Sequence, residues 1–266
     1  PLGLGKETKR LLVSPAGALS YVPFGVLAPD REVVYVPSGT TYTVLLDERA
    51  KRGKEVLALG DPDYGGKRDA GASSIYRSGD RGVLTPLPGT RAEAKAVGDV
   101  ALLGEEASEA RLQETLTRGQ RWRAVHLACH GLVNTERPQL SSLALTLDDK
   151  NDGFLTVLEV FQMKIPADLV VLSACETARG KVHRAEGIVG FTRAFMFAGA
   201  PRVIVSLWKV DDDATRALMV KFYELWKPGK MATATALKKA QEFVRSHKKW
   251  KHPYYWAAWQ LWGLGD

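Results

Sequence analysis

Asp168-Leu169-Val170-Val171-Leu172-Ser173-Ala174-Cys175-Glu176-Thr177-Ala178-Arg179-Gly180 decides how this chain is read. It opens with the most β-forming run of the 266 residues and stops at a cysteine before a polar loop. Ala124-Val125-His126-Leu127-Ala128-Cys129-His130-Gly131 has the same form, an apolar run halted at His130 before a glycine. Branched and apolar residues in short runs favour strands over helices. A histidine and a thiol held at the ends of adjacent strands are the two parts of a nucleophile and its proton-transfer partner. The histidine comes first, 45 residues ahead of the cysteine.

Outward from these two runs, strand and helix patterns alternate. Strand candidates are Arg10–Ser14, Tyr21–Leu27, Glu32–Val36, Glu55–Leu59, Leu143–Leu147 and Pro201–Trp208. Helix candidates are Thr43–Arg52, Glu109–Arg118 capped by Ser108, Glu186–Phe197, a helix to Trp226 capped by Asp213, and Met231–His247. Thr90-x-x-Glu93 and Thr156-x-x-Glu159 read as capping boxes, each opening a helix. Gly, Asp, Ser and Arg make Asp61–Gly89 a long mobile loop. Alternation of this kind predicts an α/β domain with a mostly parallel sheet, whose sites gather at the carboxyl ends of the strands.

Strand parity sorts the neighbours of the two motifs. His126 shares a face with His130, but four strand residues separate them by about 13 Å, too far for one zinc ion. His126 is therefore read as a satisfied core histidine. No other Cys/His spacing resembles a metal site, and none is expected. Cys129 falls on the opposite face and reads as a small buried hydrophobe. His183 and His252 stand outside any motif and are expected in solvent.

Composition limits the function classes. With 45% hydrophobic and 25% charged residues, the chain has the balance of a globular domain with a sizeable core. No apolar run is long enough to span a bilayer, and no secretory signal opens the chain. Two cysteines are too few for a disulfide framework, so a reducing, cytoplasmic setting is expected. The chain begins with Pro1, which suggests a piece of a longer protein. Its net charge of +7 is concentrated between Lys227 and His252, where eight Lys and Arg face Glu242 alone. Sparse aromatic interleaving there argues for a solvated helix face rather than a nucleic-acid site.

Several motifs together resemble the CHAT family, caspase-like cysteine peptidases of clan CD related to caspases and separases. They are His126–Gly131, Asp152-Gly153-Phe154-Leu155-Thr156, Ala167–Thr177, Gly187–Phe195, Val205–Asp212 and His252–Ala258, with Leu12–Leu27 and Leu87–Leu103 also matching. The resemblance implies a caspase-like three-layer α/β sandwich with an N-terminal pseudo-caspase half, 1–120, and a catalytic half, 121–266. It implies an endopeptidase using Cys175 as nucleophile and His130 as general acid/base, without metal or organic cofactor. Backbone N–H groups of Gly131 and Cys175 would form the oxyanion hole. The separase run Leu-Trp-Asp-Val-Thr-Asp corresponds to Leu207–Asp212 here, which makes Asp212, with Asp211 beside it, the candidate base of a pocket for a basic P1 residue. Lys209 departs from that run, and the same acidic residues could serve only to cap the next helix.

Expected partners are a protein substrate and an upstream helical-repeat domain or regulatory protein, in bacterial signalling or defence. A second reading keeps the fold as a catalytically silent scaffold or binding module. A third is a Cys-dependent hydrolase or acyltransferase acting on small molecules.

Overall fold

Twelve strands are present among the described residues. In chain order they are β1 (Arg10–Val13), β2 (Glu32–Tyr35), β3 (Val56–Pro62), β4 (Val100–Gly104), β5 (Ala124–Ala128), β6 (His130–Leu132), β7 (Ser142–Ala144), β8 (Phe154–Thr156), β9 (Val170–Leu172), β10 (Cys175–Glu176), β11 (Arg202–Ser206) and β12 (Trp259–Gly263). The helices are α1 (Phe24–Leu27), α2 (Gly39–Leu46), α3 (Pro88–Val97), α4 (Glu109–Leu116), α5 (Val157–Gln162), α6 (Arg184–Phe197), α7 (Asp212–Trp226) and α8 (Thr233–Ser246). The computed structural model describes residues 5, 7–49, 52–65, 84–134, 136–173, 175–176, 184–227, 229 and 231–266. His183 and the centre of the expected 61–89 loop lie outside them.

Eight strands form one sheet in the order β1-β2-β12-β11-β9-β5-β3-β4. From β11 to β4 the pairings are parallel, and β12 turns antiparallel to β11, carrying β2 and β1 with it. Residues alternate between its faces because successive strand side chains point to opposite sides. Leu57, Leu59, Val125, Leu127, Val170, Val203 and Val205 pack with Leu112 of α4, Val160 of α5 and Phe195 of α6. Ala58, Ala124, Val171, Ile204 and Leu261 pack with Ala94 of α3, Phe222 of α7 and Leu237 of α8. The result is the expected sandwich of three layers, with the sheet buried on both faces.

Segments 1–120 and 121–266 do not form separate sheets. β3 pairs directly with β5 over Val56↔Ala124 to Gly60↔Ala128, and β2 pairs with β12. The expected division near Arg118–Arg121 thus falls inside one hydrogen-bonded layer. Asp168, 3% exposed, ties that layer at the amino end of its strands. Its carboxylate accepts from Gly53 N at 2.7 Å and from Arg121 Nε at 2.7 Å.

Packing redirects other local preferences. Tyr21–Leu27 is a 3₁₀ turn followed by α1, not a strand. α3 begins at Pro88, two residues before the expected box, because Pro suits the first turn of a helix. Thr90 Oγ1 instead donates to Leu87 O and accepts from Asp61 N, and Glu93 turns into the core. The Thr156–Glu159 box does form, with both reciprocal hydrogen bonds at the start of α5. Among the described residues, no helix is long and apolar enough to cross a membrane.

Candidate active site

The two opening motifs converge beyond the carboxyl end of the sheet. β5 and β9 are parallel neighbours, with Leu127 opposite Leu172. β5 then ends at Ala128, the chain bends at Cys129, and His130 opens β6. β9 ends at Leu172, and Cys175 opens β10. β10 and β6 are parallel and in register, with Cys175 opposite His130 and Glu176 opposite Gly131. The offset of 45 residues is the same on both sides of the bend. Equal detours of three residues from Leu127 and from Leu172 therefore deliver His130 and Cys175 side by side. Neighbouring strands lie about 4.8 Å apart, so the two backbones are within reach of one substrate carbonyl.

The sequence places both residues on the main strands, but the structure moves them into a second sheet of order β10-β6-β7-β8. β7 supports His130 through Ala144 and Gly131 through Leu143, and β8 backs β7.

His130 is 6% exposed and is held by two residues that the sequence pattern places in a loop. Its Nε2 lies 2.8 Å from Thr85 O. A carbonyl can only accept, so Nε2 carries the hydrogen, and in the neutral ring Nδ1 is the basic nitrogen. Tyr64 packs its ring 5.2 Å from the imidazole, centroid to centroid. Its hydroxyl accepts from His130 N at 3.3 Å and donates to Ala144 O at 3.2 Å. The adjoining Asp63 N donates to Thr146 Oγ1, which donates to Gly104 O. Both ends of the 61–89 segment are thus fixed at the site. A tyrosine in a Gly/Asp-rich stretch is the one signal of this that the sequence carries.

His126 takes the role expected of it. It is fully buried, with Nε2 3.0 Å from Glu93 Oε1 and Nδ1 3.4 Å from Tyr223 Oη. Burial drives the Tyr223 hydroxyl pKa well above its usual value, with Glu93 and Asp99 adding to the shift. The hydroxyl therefore stays protonated and can donate to Nδ1. Cys129 is 1% exposed in the core on the α4–α6 face. His252 caps the 3₁₀ turn at 253–255, its ring accepting from Tyr254 N.

The two acidic candidates divide. Asp211 caps α7, its Oδ1 accepting from Ala214 N at 3.1 Å, so the cap is Asp211 rather than Asp213. Asp212 is exposed in the first turn and lies against Gly89, where a Cβ in place of the glycine hydrogen would sit 3.5 Å from its carboxylate. Gly89 is four residues along the chain from Thr85, which holds His130.

A second acidic group gathers around the start of α4. Glu109 is 3% exposed at the start of α4 and accepts from Gln113 Nε2 at 3.0 Å. Burial raises its pKa to about 7, and repulsion from Glu159, Asp152 and Asp148 adds to the shift. Asp148 is itself held below the usual carboxylate range. Burial pushes it up, but hydrogen bonds from Ala110 N, Lys150 N and Asn151 outweigh that effect.

The family model for the CHAT domain matches residues 2–264. Tetratricopeptide repeat protein 28 of Homo sapiens is 28% identical, and that of Mus musculus 31% identical, each over 302 residues and 96% of this chain. This chain spans 12% of the length of those relatives. Both are mammalian, which overturns the bacterial setting expected from the sequence. In the Saccharomyces cerevisiae separase–securin complex, a chain superposes with a TM-score of 0.57 at 16% identity, covering 95% of this chain and 15% of that one. The Arg specific cysteine proteinase gingipain R superposes with a TM-score of 0.53 at 12% identity, covering 94% of this chain and 56% of that one. At these identities the superpositions speak for the fold alone.

Proposed function

The chain belongs to the CHAT domain family, and we propose that it is a cysteine endopeptidase with Cys175 as nucleophile and His130 as its proton-transfer partner. The observation that carries this reading is the in-register pairing of Cys175 with His130, with His130 Nε2 committed to Thr85 O.

The chemistry follows from that arrangement. His130 Nδ1 takes the Cys175 proton, and the thiolate attacks the scissile carbonyl carbon. Negative charge moves to the carbonyl oxygen, where the N–H groups of Gly131 and Cys175 serve as the candidate donors. The C–N bond breaks as His130 returns the proton to the leaving amine. Water, deprotonated by His130, then hydrolyses the thioester and releases the thiol.

Asp212 is the candidate S1 carboxylate, which favours Arg or Lys at P1. A neighbour in fold, gingipain R, is an Arg specific cysteine proteinase, which agrees with this choice. Attached helical-repeat segments are the proposed regulators, because the relatives are tetratricopeptide repeat proteins of which this chain is a small part.

The test is cleavage of a peptide library by the wild type and by Cys175→Ala, with labelling by an Arg-directed acyloxymethyl ketone. The wild type should cleave and be labelled, and the variant should do neither. Equal cleavage by both would falsify the assignment. A thiol that stays unlabelled in the full-length protein would favour the scaffold reading instead.

A further inference from the structure

A cavity lies at the same end of the sheet, across β11 from the candidate dyad. Ser206, the last residue of β11, pairs with Trp259, and Trp208 Nε1 donates to Tyr254 O at 2.9 Å. The chain just beyond Tyr254 forms one wall of the cavity. Segment 23–33 and α8 form the others, enclosing about 50 Å³.

Three cations line it, Arg31, Lys238 and Arg245, against the single carboxylate of Glu242. Glu242 is shared with Lys238 at 3.5 Å. Arg245 lies over the Trp256 ring at 5.4 Å, and neither it nor Arg31 has an ion pair among the described residues. The surplus of positive charge lining one cavity points to an anionic partner that arrives from outside.

We propose that this cavity binds the carboxylate side chain of an acidic peptide segment. About 10–15 Å³ of such volume holds one water, so the space takes roughly four water-sized groups. That matches a carboxylate and the carbon that bears it. The oxygens would face the cations Arg31 and Arg245. Trp256 and Trp259 offer apolar wall to the side-chain stem. A peptide is favoured over a free anion because Trp256 and Trp259 suit a side-chain stem, and because Trp208, bonded to Tyr254 O, links this wall to the chain that leads to Asp212. That placement rests on the proposed peptidase reading, but binding itself requires no turnover.

The experiment uses Cys175→Ala protein and isothermal titration calorimetry. The probes are end-blocked hexapeptide mixtures with one fixed Glu, the same mixtures with Gln, and inorganic phosphate. The Glu mixture should bind at least tenfold more tightly than the Gln mixture. Arg31→Gln and, separately, the exposed Arg245→Gln should each remove most of that difference, with thermal unfolding confirming a folded protein. Equal binding of the Glu and Gln mixtures overturns the proposal, as does an undiminished difference in both variants. Phosphate binding without peptide binding overturns it too, since the cavity then serves a small anion. Each result is independent of whether the wild type cleaves peptides.

Discussion

Replacing Glu109 with Gln should make the protein more stable at pH 8 and leave it nearly unchanged at pH 4.5. The folded protein tolerates protonated Glu109 better than ionised Glu109, because the side chain is buried beside three other carboxylates. A pKa raised on folding stabilises the protein fully below the unfolded value, and that contribution is lost as pH rises through the folded value. The window here runs from the ordinary 4.5 to about 7. At 1.36 kcal/mol per pKa unit, crossing it costs the wild type about 3 kcal/mol. The amide introduced by Glu109→Gln keeps an acceptor for Gln113 Nε2 but has no charge to bury. The difference in unfolding free energy between variant and wild type should therefore grow from about zero at pH 4.5 to about 3 kcal/mol at pH 8. For a chain of this length that corresponds to a rise of about 6 °C in Tm. Urea unfolding of both proteins at pH 4.5, 6, 7 and 8 reads the difference curve, in which the titration of groups remote from Glu109 cancels. Parallel curves would refute the reasoning, since they would mean that ionised Glu109 is solvated.

The site offers further tests. Tyr64→Phe removes the hydroxyl that bridges His130 N and Ala144 O. At about 1 kcal/mol for each of these two hydrogen bonds, kcat should fall by up to about thirtyfold with KM little changed; an unchanged kcat would place Tyr64 outside the positioning of His130. Asp212→Asn should erase a preference for Arg over Leu at P1 by about tenfold or more while cleavage continues, measured on paired peptides; a retained preference would assign the P1 pocket to another residue.

Much of the fold is legible because it rests on local pattern. The runs ending at His130 and Cys175, the helix patterns between them and the Thr156–Glu159 box depend on neighbours within a few residues. His126 is a core residue, as strand parity implies, and its Glu93 and Tyr223 partners give the reason. The Thr90–Glu93 box fails where a local preference meets a stronger distant partner. Glu93 pairs with His126 in the core instead of capping its own helix, and Pro88 starts that helix earlier. Asp211 displaces Asp213 as a cap because the helix starts two residues earlier than expected.

By itself, the sequence determined an α/β chain with a histidine and a cysteine 45 residues apart at the ends of two strands. Only the tertiary structure decided that this spacing is a strand register. Parallel pairing of β5 with β9 sets the offset, and equal bends of three residues carry it into a second sheet. Only the tertiary structure, likewise, brought Thr85 and Tyr64 onto His130 from 45 and 66 residues away. Local propensity cannot encode such contacts, because they exist only once the sheet has closed the distance between segments remote in the chain.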